Sequence, residues 1–345
     1  MERHEDIMIV GGGPAGAYCA FELTKKGIFP IILNYPHPGG KPCGGGISPL
    51  VIQKFPFLEK LRSKGETFSV FNIISCTNVQ VVTRGLENGF CISRQCLDRE
   101  ILNMAKRNGA KVMEEKVLDI QKSGFFWNVK TDKRTYSTKI LVGADGVTSI
   151  VRHKTVGYFF RENLALTFGY IAHRVEKADA IIKFLSEIPG YIWVFPGKDY
   201  YNVGIGSELK YGGRLKELLN YFINSYCPQI QITRDTLNYA WMLPSAKNPN
   251  FFKHTTCAGI DWLLVGDAAG HVDPISGGGI LYALWGAKLA AEAIEKKDLK
   301  SYDQKWRTEF GKGLEERCKN RDTFYDPLQS TASLLRGLAA KIYFK

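Results

Sequence analysis

Residues 6–34 read DIMIVGGGPAGAYCAFELTKKGIFPIILN, and this stretch decides the fold. It predicts an apolar strand, a glycine turn, a helix that Gly27 closes and a second apolar strand, which is the order of a βαβ unit. Gly11, Gly13 and Gly16 have the GxGxxG spacing of dinucleotide sites. The first glycine permits a tight turn, the second lets a pyrophosphate approach the backbone, and the third lets the helix pack closely on the strand. The amides at the start of the helix then face the phosphates.

The end of the second strand departs from the usual dinucleotide pattern. An acidic residue is expected there to hold the ribose hydroxyls, and this chain has Asn34. An amide can donate and accept hydrogen bonds, so we expect adenosine binding to survive. The ribose contact should be weaker because the charge-assisted hydrogen bond is missing.

Two later strands also end in glycine and aspartate. Residues 139–152, KILVGADGVTSIVR, run into Asp145, and WLLVGDAAGHV, residues 262–272, runs into Asp267. Both patterns place a carboxylate at the carboxyl edge of a sheet, where open α/β sheets bind ligands. We expect Asp267 to accept hydrogen bonds from ribityl or ribose hydroxyls and Asp145 to fix a loop near the cofactor. The alternative for both is a turn or helix-cap role.

Three consecutive glycines, Gly277 to Gly279, then open an apolar helix that starts at Ile280. Glycines at a helix start let a flat ring lie against bare amides. If that ring is isoalloxazine, the amides of Gly278 and Gly279 stabilise the negative charge that develops when it is reduced, by a few tenths to about two kcal/mol.

Two other stretches bear on the site. In CISRQCLDREILNMAKRNGAKV, residues 91–112, we expect Arg94 in a strand end or turn before an amphipathic helix. In GYIWVFPGKDYYNVGIG, residues 190–206, the side chains of Tyr191, Trp193 and Phe195 alternate and so share one face of a strand. Residues after the turn form its predicted hairpin partner. The aromatic face is interpreted either as the wall of a substrate cavity or as the core of a β domain.

Bulk properties exclude several classes of protein. The eight cysteines contain no CxxC pair and the six histidines add no metal-ligand spacing, so we expect no metal. The formal charge of +12 is scattered without a nucleic-acid motif, so we expect no nucleic-acid partner. No apolar run approaches the roughly 20 residues of a membrane span. The start of the chain lacks the pattern of a secretory signal, so we expect a cytoplasmic protein, with peripheral contact at the inner face of a membrane left open.

With these motifs in order, the chain resembles the FAD-dependent group that includes p-hydroxybenzoate hydroxylase, the flavin halogenases and the geranylgeranyl reductases. KPCGGGIS, residues 41–48, and the aromatic strand are similar to signatures of the geranylgeranyl reductase family. The fold class implied is α/β, a Rossmann-like FAD-binding domain with an inserted mixed α+β substrate domain and a short C-terminal helical segment. The expected boundaries are 1–50, 91–152 and 255–300 for the FAD domain, 51–90 and 153–254 for the substrate domain, and 301–345 for the C-terminal helices.

The resemblance implies that reduced FAD delivers a hydride to carbon-carbon double bonds of a geranylgeranyl or other isoprenoid group, on a prenylated lipid precursor or a prenyl diphosphate. It also implies an external electron donor, NAD(P)H or a ferredoxin-like protein. The residues assigned to the cofactor are Gly11, Gly13, Pro14, Ala15, Gly16, Asn34, Cys43, Gly44, Arg94, Asp145, Gly266, Asp267, Gly277, Gly278, Gly279 and Ile280. The residues assigned to catalysis are Cys43 and the backbone of Gly278 and Gly279, and those assigned to the substrate are Tyr191, Trp193 and Phe195.

For Cys43, the resemblance implies a flexible loop over the flavin, where a thiol could donate a proton. A nucleophilic role is disfavoured because no histidine adjoins it. The alternative is a small residue packed among glycines.

Two other functions compete with the reductase. One is an FAD-dependent monooxygenase or halogenase of the same group, and the other is a non-catalytic flavin-binding or lipid-carrying protein. The last interpretation draws on Asn34 and on a carboxyl-terminal portion, from Ser301 on, shorter than the family's usual one. The final stretch LLRGLAAKIYFK, residues 334–345, is apolar and basic and is interpreted as a docked helix or a membrane-surface segment.

Overall fold

The computed structural model describes residues 3–35, 40–68, 70–84, 89–173, 179–326 and 329. The final stretch at 334–345 therefore lies outside the described residues. The strands are β1 (Arg3–Val10), β2 (Ile31–Leu33), β3 (Gly46–Ile47), β4 (Glu66–Thr67), β5 (Val70–Ile74), β6 (Gln80–Arg84), β7 (Phe90–Cys91), β8 (Lys111–Met113), β9 (Val117–Ser123), β10 (Phe126–Thr131), β11 (Thr135–Gly143), β12 (Leu164–His173), β13 (Ala180–Phe184), β14 (Gly190–Pro196), β15 (Tyr200–Glu208), β16 (Leu237–Pro244) and β17 (Trp262–Leu264).

The α-helices are α1 (Pro14–Thr24), α2 (Pro49–Lys54), α3 (Arg94–Arg107), α4 (Ile150–Thr155), α5 (Leu215–Tyr226), α6 (Asn250–His254), α7 (Ile280–Glu295), α8 (Ser301–Trp306), α9 (Lys312–Lys319) and α10 (Arg321–Tyr325). Short 3₁₀ segments cover Pro56–Lys64, Arg161–Asn163, Leu209–Arg214 and Gly266–Ala269, and one π turn covers Arg307–Gly311. In the part of the chain that the structure describes, no helix combines the length and apolar character needed to cross a membrane.

The chain forms two compact units, and each is made of three segments. The first unit comprises Met1–Gly40, Leu97–Asn163 and Leu243–Cys318, and the second comprises Lys41–Cys96, Leu164–Met242 and Lys319–Lys345. These bounds differ from the domain boundaries expected from the sequence. The KPCGGGIS stretch lies in the second unit because Gly46 and Ile47 pair there with β7, and most of the C-terminal helices lie in the first.

A mixed sheet forms the centre of the first unit, with strand order β8-β2-β1-β11-β10-β9. Strand β17 runs parallel to the end of β11, while β10 and β9 continue the sheet in antiparallel fashion. The registers Val10↔Gly143 and Gly143↔Leu264 bring the carboxyl ends of β1, β11 and β17 to the same level. The predicted Rossmann-like α/β architecture is therefore confirmed, and the three motif-bearing loops leave one edge of the sheet.

Helices α1 and α7 pack against each other in this unit. Both are rich in small buried residues, including Ala17 and Ala20 on α1 and Ala287 and Ala290 on α7. Small side chains let two helix backbones approach closely. Each helix starts directly after a motif loop, so this packing also brings the two loops together.

The second unit is built on a seven-stranded sheet with order β16-β12-β15-β14-β13-β5-β6. Strands β14 and β15 form the predicted hairpin, and β5 joins the same sheet by pairing in parallel with β13. One face packs on the predicted helix α5, where Ile192, Val194 and Ile205 meet Leu219 and Phe222 in a buried core. Because strand side chains alternate, the aromatic residues of β14 lie on the opposite face.

Candidate functional site

The glycine turn after β1 packs against the backbone of the loop that follows β11. Gly11 has φ +103°, and a Cβ there would overlap the carbonyl oxygen of Ala144. A Cβ on Gly16 would overlap the carbonyl oxygen of Gly11. The amide of Gly11 also donates to the carbonyl of Leu33, at 2.9 Å. Both glycines are therefore required by backbone contact, which agrees with the roles predicted for this turn.

The start of α1 leaves its amides open toward the sheet edge. Gly13 is the N-cap residue and Pro14 is the first helical residue, and among the described residues no side chain caps the helix and no acid lies in its first turn. A Cβ on Gly12 would overlap the Oδ1 atom of Asn34, so this amide lies directly against the turn. Open amides at a helix start beside a hydrogen-bonding side chain fit a pyrophosphate and the adjoining ribose.

Asp145 stabilises its own loop. Its carboxylate accepts hydrogen bonds from the Ser149 hydroxyl and from the amides of Ile150, at 2.7 Å, and Val151, at 3.3 Å. Burial raises the pKa of Asp145, and these donors oppose that shift. The structure thus shows the helix-cap contact that the sequence left as an alternative, and a direct contact of Asp145 with a cofactor stays a prediction.

Asp267 lies beside the start of α7. Gly266 has φ +61°, and a Cβ there would be 2.9 Å from the Cβ of Ala15, so this turn sits on α1. A Cβ on Gly279, the N-cap of α7, would be 3.2 Å from Oδ1 of Asp267. Within the described ranges, no side chain caps this helix and its first turn contains no acid. The glycine therefore leaves room beside the carboxylate.

The loop before α7 is fixed by Asp273. The amide of Gly277, with φ +64°, donates to the carbonyl of Asp273 at 2.9 Å, and the Asp273 amide donates to the carbonyl of Gly278 at 3.1 Å. The Asp273 carboxylate is buried and pairs with Arg317 at 2.6 Å. Ile280 begins the helix and is half-buried.

A buried polar layer lies behind the Asp267 turn. Nη1 of Arg152 donates to the carbonyl of Ala268 at 3.1 Å. His271 is fully buried, and its Nε2 lies 3.7 Å from the Sγ of Cys257. Burial, with smaller contributions from Arg307 and Arg152, lowers the pKa of His271 to about 3. The imidazole is therefore neutral at physiological pH.

Taken by itself, the first unit brings together the predicted cofactor residues that it contains. They surround one edge of its sheet and offer the open amides of two helix starts, a carboxylate and an amide side chain. The tight turn at Gly11, the start of α1 without a side-chain cap and the room that Gly279 leaves beside the Asp267 carboxylate fit a dinucleotide. The members of this set are Gly11, Gly13, Pro14, Ala15, Gly16, Asn34, Asp145, Gly266, Asp267, Gly277, Gly278, Gly279 and Ile280.

Cys43, Gly44 and Arg94 belong to the second unit. The expectation that Arg94 lies in a strand end or turn is wrong, because it is the first residue of α3. Ser93 precedes it and accepts a hydrogen bond from the amide of Cys96 at 3.2 Å, the usual contact of an N-cap serine.

The glycines of the KPCGGGIS loop lie against the aromatic strand. A Cβ on Gly44 would be 2.8 Å from the Phe195 ring and 3.2 Å from Nε1 of Trp193. The half-buried Cys43 accepts a hydrogen bond at its sulfur from the amide of Gly45, at 3.4 Å. Close approach of aromatic rings therefore explains why this loop contains glycine beside the cysteine.

The three aromatic residues of β14 have different surroundings. Tyr191 packs in a small cluster with Phe184, at 5.9 Å between ring centroids, and so serves the core in part. Trp193 is buried and lies over Gly204, where a Cβ would overlap its ring. Phe195 is half-buried against the glycine loop. Trp193 and Phe195 therefore form what we call the aromatic wall, and substrate contact there stays a prediction.

Sequence reasoning missed three polar residues. Arg152 supports the Asp267 turn from within the quoted stretch 139–152, and Asn202 and Tyr239 form a hydrogen-bonded group with Trp193. A signal for Asn202 existed, because it is a polar residue between the apolar Tyr201 and Val203 of a strand. Tyr239 had no local signal.

Comparison with known proteins agrees with this geometry, although no family model matches the chain. The chain is 28% identical over 359 aligned positions to digeranylgeranylglycerophospholipid reductase 1 of Methanococcoides burtonii, covering 94% of this chain and 85% of the relative. A geranylgeranyl bacteriochlorophyll reductase-like protein from Thermoplasma acidophilum has the same fold, with a TM-score of 0.80, 22% identity and coverage of 94% and 88%. The similarity thus extends over both units to proteins named as geranylgeranyl or digeranylgeranylglycerophospholipid reductases.

The same fold also occurs in a protein that is not named as a reductase. A probable FAD-dependent monooxygenase from Pseudomonas aeruginosa matches with a TM-score of 0.71 and 15% identity, covering 96% of this chain and 99% of that one. The fold predicted from the sequence is confirmed, and the similarity to named reductases agrees with the predicted family.

Proposed function

We propose that this protein is an FAD-dependent oxidoreductase that saturates carbon-carbon double bonds of geranylgeranyl or related isoprenoid groups on a membrane lipid precursor. The observation that carries the proposal is the similarity to the Methanococcoides burtonii reductase, which extends over 94% of the chain and includes both units. The geometry supports it, because one unit has the glycine turn and helix starts expected of a dinucleotide site and the other has aromatic side chains beside a thiol.

In the first unit, the start of α1 would hold the pyrophosphate and Asn34 the adenosine ribose. Asp267 would accept hydrogen bonds from the ribityl chain, and the amide of Gly279 would face the isoalloxazine. The amide of Gly278, assigned the same role from the sequence, donates to the Ser276 hydroxyl at 3.3 Å in this structure. Reduced FAD, when bound, supplies the hydride for the reaction. The glycine turns would hold the flavin in one orientation. Such placement matters because an isolated alkene is a poor hydride acceptor and has to lie close to the hydride donor.

Each saturated double bond also needs one proton. We assign its delivery to the thiol of Cys43: one alkene carbon takes the hydride, the other takes the thiol proton, and the thiolate recovers a proton from water. In the second unit, Trp193 and Phe195 would line the path of the prenyl chain, since aromatic rings bind apolar chains without offering them a nucleophile.

The partners follow from this chemistry. The substrate is a prenylated lipid or a prenyl diphosphate, and reducing equivalents come from NAD(P)H or a ferredoxin-like protein. Because a geranylgeranylated lipid resides in a membrane, we place the enzyme in the cytoplasm at the inner membrane surface.

The deciding experiment is an anaerobic single turnover. The purified protein is reduced with dithionite and mixed with a geranylgeranylated glycerol phosphate, and the flavin spectrum and the lipid mass are followed together. Reoxidation of the flavin with a mass gain of one hydride and one proton per double bond supports the proposal. A flavin that stays reduced until oxygen enters contradicts it and favours the monooxygenase alternative, which the shared fold leaves as the second candidate.

Two matched variants then test the proton donor. Cys43→Ser keeps the approximate size of the side chain but replaces the thiol by a much weaker acid, so alkene reduction should slow by roughly a hundred- to ten-thousandfold, the usual range for general acid catalysis. Cys96→Ser makes the same change at the other half-buried cysteine of this unit and should leave the rate unchanged.

A further inference from the structure

Asn202 lies where the KPCGGGIS loop, the aromatic wall and β16 meet within the second unit. Its Nδ2 donates to the main-chain carbonyl of Cys43 at 2.7 Å. Its Oδ1 accepts from Nε1 of Trp193 at 2.9 Å and from the hydroxyl of Tyr239 at 2.7 Å. Asn202 is 6% exposed, so water does not compete effectively for these hydrogen bonds.

The chemistry of the partners fixes which end of the amide faces which group. An indole N–H can only donate, so it must meet the oxygen of the Asn202 amide, and a carbonyl can only accept, so Cys43 must meet the nitrogen. The hydroxyl of Tyr239 donates to the same oxygen. A flipped amide would lose the hydrogen bonds to both Trp193 and Cys43, so the side chain has one satisfied orientation.

Two glycines make this arrangement sterically feasible. Gly204 pairs with Trp193 on one side and with Gly169 on the other, so the two glycines are neighbours across the sheet. The Trp193 ring lies over Gly204, and a Cβ on Gly169 would be 2.5 Å from the hydroxyl oxygen of Tyr239. We call this pair the glycine floor. Two bulky side chains cross the floor and reach the same oxygen of Asn202.

We propose that Asn202 is a positioning residue that holds the Cys43 loop in register with the aromatic wall. The Nδ2 atom of Asn202 holds the loop backbone at Cys43, and its Oδ1 atom is held by Trp193 and Tyr239. A displacement of either aromatic side chain is therefore transmitted to Cys43. The consequence for catalysis rests on the proposed reductase function, whereas the consequence for the position of the loop does not.

Asn202→Asp is the sharpest test, because it keeps the shape and retains an oxygen for Trp193 and Tyr239. The second carboxylate oxygen then faces the Cys43 carbonyl, and two acceptors repel each other, so the loop should be released. Asn220→Asp is the matched control. The amide oxygen of Asn220 accepts from the hydroxyl of Tyr170 at 2.9 Å in the same unit.

The first measurement is alkylation of the flavin-loaded protein by iodoacetamide, quantified by peptide mass analysis. Cys43 and Cys96 are half-buried and the other six cysteines are buried, so labelling at Cys96 is an internal reference. We expect Asn202→Asp to raise the Cys43-to-Cys96 labelling ratio several-fold and Asn220→Asp to leave it at the wild-type value. The excess should decline in acid, where the introduced carboxyl group takes up a proton and can donate to the Cys43 carbonyl again.

The second measurement is the anaerobic turnover of the geranylgeranylated glycerol phosphate. Because a small misplacement of a reacting group costs roughly a hundredfold in rate, we expect Asn202→Asp to lower kcat with KM little changed. Increased labelling with an unchanged kcat, or unchanged labelling, overturns the proposal. If the wild-type protein reduces no alkene, the proposed function fails, and the labelling ratio still decides whether Asn202 holds the loop.

Tyr239→Phe guards against an Asn202→Asp protein that does not fold. It removes only one of the two donors to Oδ1 and leaves the Cys43 hydrogen bond intact. A rise in the Cys43-to-Cys96 labelling ratio above the wild-type value supports the proposed coupling, and a wild-type ratio contradicts it.

Discussion

The guanidinium of Arg152 donates to the main-chain carbonyl of Ala268 at 3.1 Å and stacks on Phe159, with its Cζ atom 3.8 Å from the ring centroid. Arg152 belongs to α4, whose start is capped by Asp145, and Ala268 follows Asp267 directly. One buried side chain therefore joins the loop after β11 to the loop after β17.

Replacing Arg152 by Met should loosen the Asp267 turn. The change removes a hydrogen bond from a charged donor and leaves a buried carbonyl unsatisfied, so the free energy of unfolding should fall by about 1.5 to 3 kcal/mol. Urea unfolding and the flavin content of the purified protein measure this effect. Lys154→Met, on the same helix but in a surface ion pair with Asp119, is the control and should change neither quantity appreciably. Equal effects of the two variants would contradict the role assigned to Arg152.

Asp267→Ala should abolish retention of FAD. Each hydrogen bond from a ribityl hydroxyl to the carboxylate contributes about 1.5 to 3 kcal/mol, so the loss of one or two weakens binding by at least an order of magnitude. Flavin absorbance per protein after gel filtration is the measurement. Asp6→Ala, at an exposed carboxylate of the same unit, should keep full flavin content. A fully loaded Asp267→Ala protein would remove this residue from the site.

These two residues differ in how far the sequence predicts them. Asp267 follows a buried strand and a glycine, so its place at the sheet edge can be derived from spacing alone. The hydrogen bond of Arg152 joins positions 116 residues apart, and that of Asn202 to Cys43 joins positions 159 residues apart. No local pattern encodes such contacts. The start of α3 was predictable, because serine at position 93 is a typical N-cap residue, but the preceding apolar strand favoured an extended interpretation of Arg94.

Gly44→Ala should displace the KPCGGGIS loop, because the added methyl would lie 2.8 Å from the Phe195 ring. Overpacking of this kind costs about 1 to 3 kcal/mol. Thermal unfolding and alkene turnover should both reveal it, and Phe195→Leu in the same chain should restore part of the loss by making room. Gly213→Ala is the matched control, since no atom of the described residues lies within 4 Å of the added methyl. If the double variant is no more stable and no more active than Gly44→Ala, the strain does not come from the contact with Phe195.

His271 should make the first unit sensitive to acid. Its pKa is about 3 in the folded protein and 6.5 in an unfolded chain, so the unfolded state binds the proton more readily. The stability that depends on the neutral imidazole is present above pH 6.5 and is lost as the pH falls towards 3, with a slope approaching about 1.4 kcal/mol per pH unit. The cations Arg152 and Arg307 nearby reinforce this direction.

Urea unfolding across that pH window tests the assignment. His271→Asn should flatten the dependence relative to the wild type, because the titrating group is gone. His254→Asn removes an exposed histidine from α6 and should preserve the wild-type slope. Parallel slopes for His271→Asn and the wild type would show that other groups cause the acid sensitivity.

The packing of α1 on α7 has a consequence for how the protein is made. Helix α1 leaves the ribosome early. Its partner α7 is synthesised only after two segments of the second unit, Lys41–Cys96 and Leu164–Met242. Contacts so distant in sequence form slowly, and an exposed apolar helix is prone to aggregation in the meantime. Helix α1 therefore lacks its α7 partner through most of translation, and a chain stalled before Ile280 cannot complete the nucleotide site.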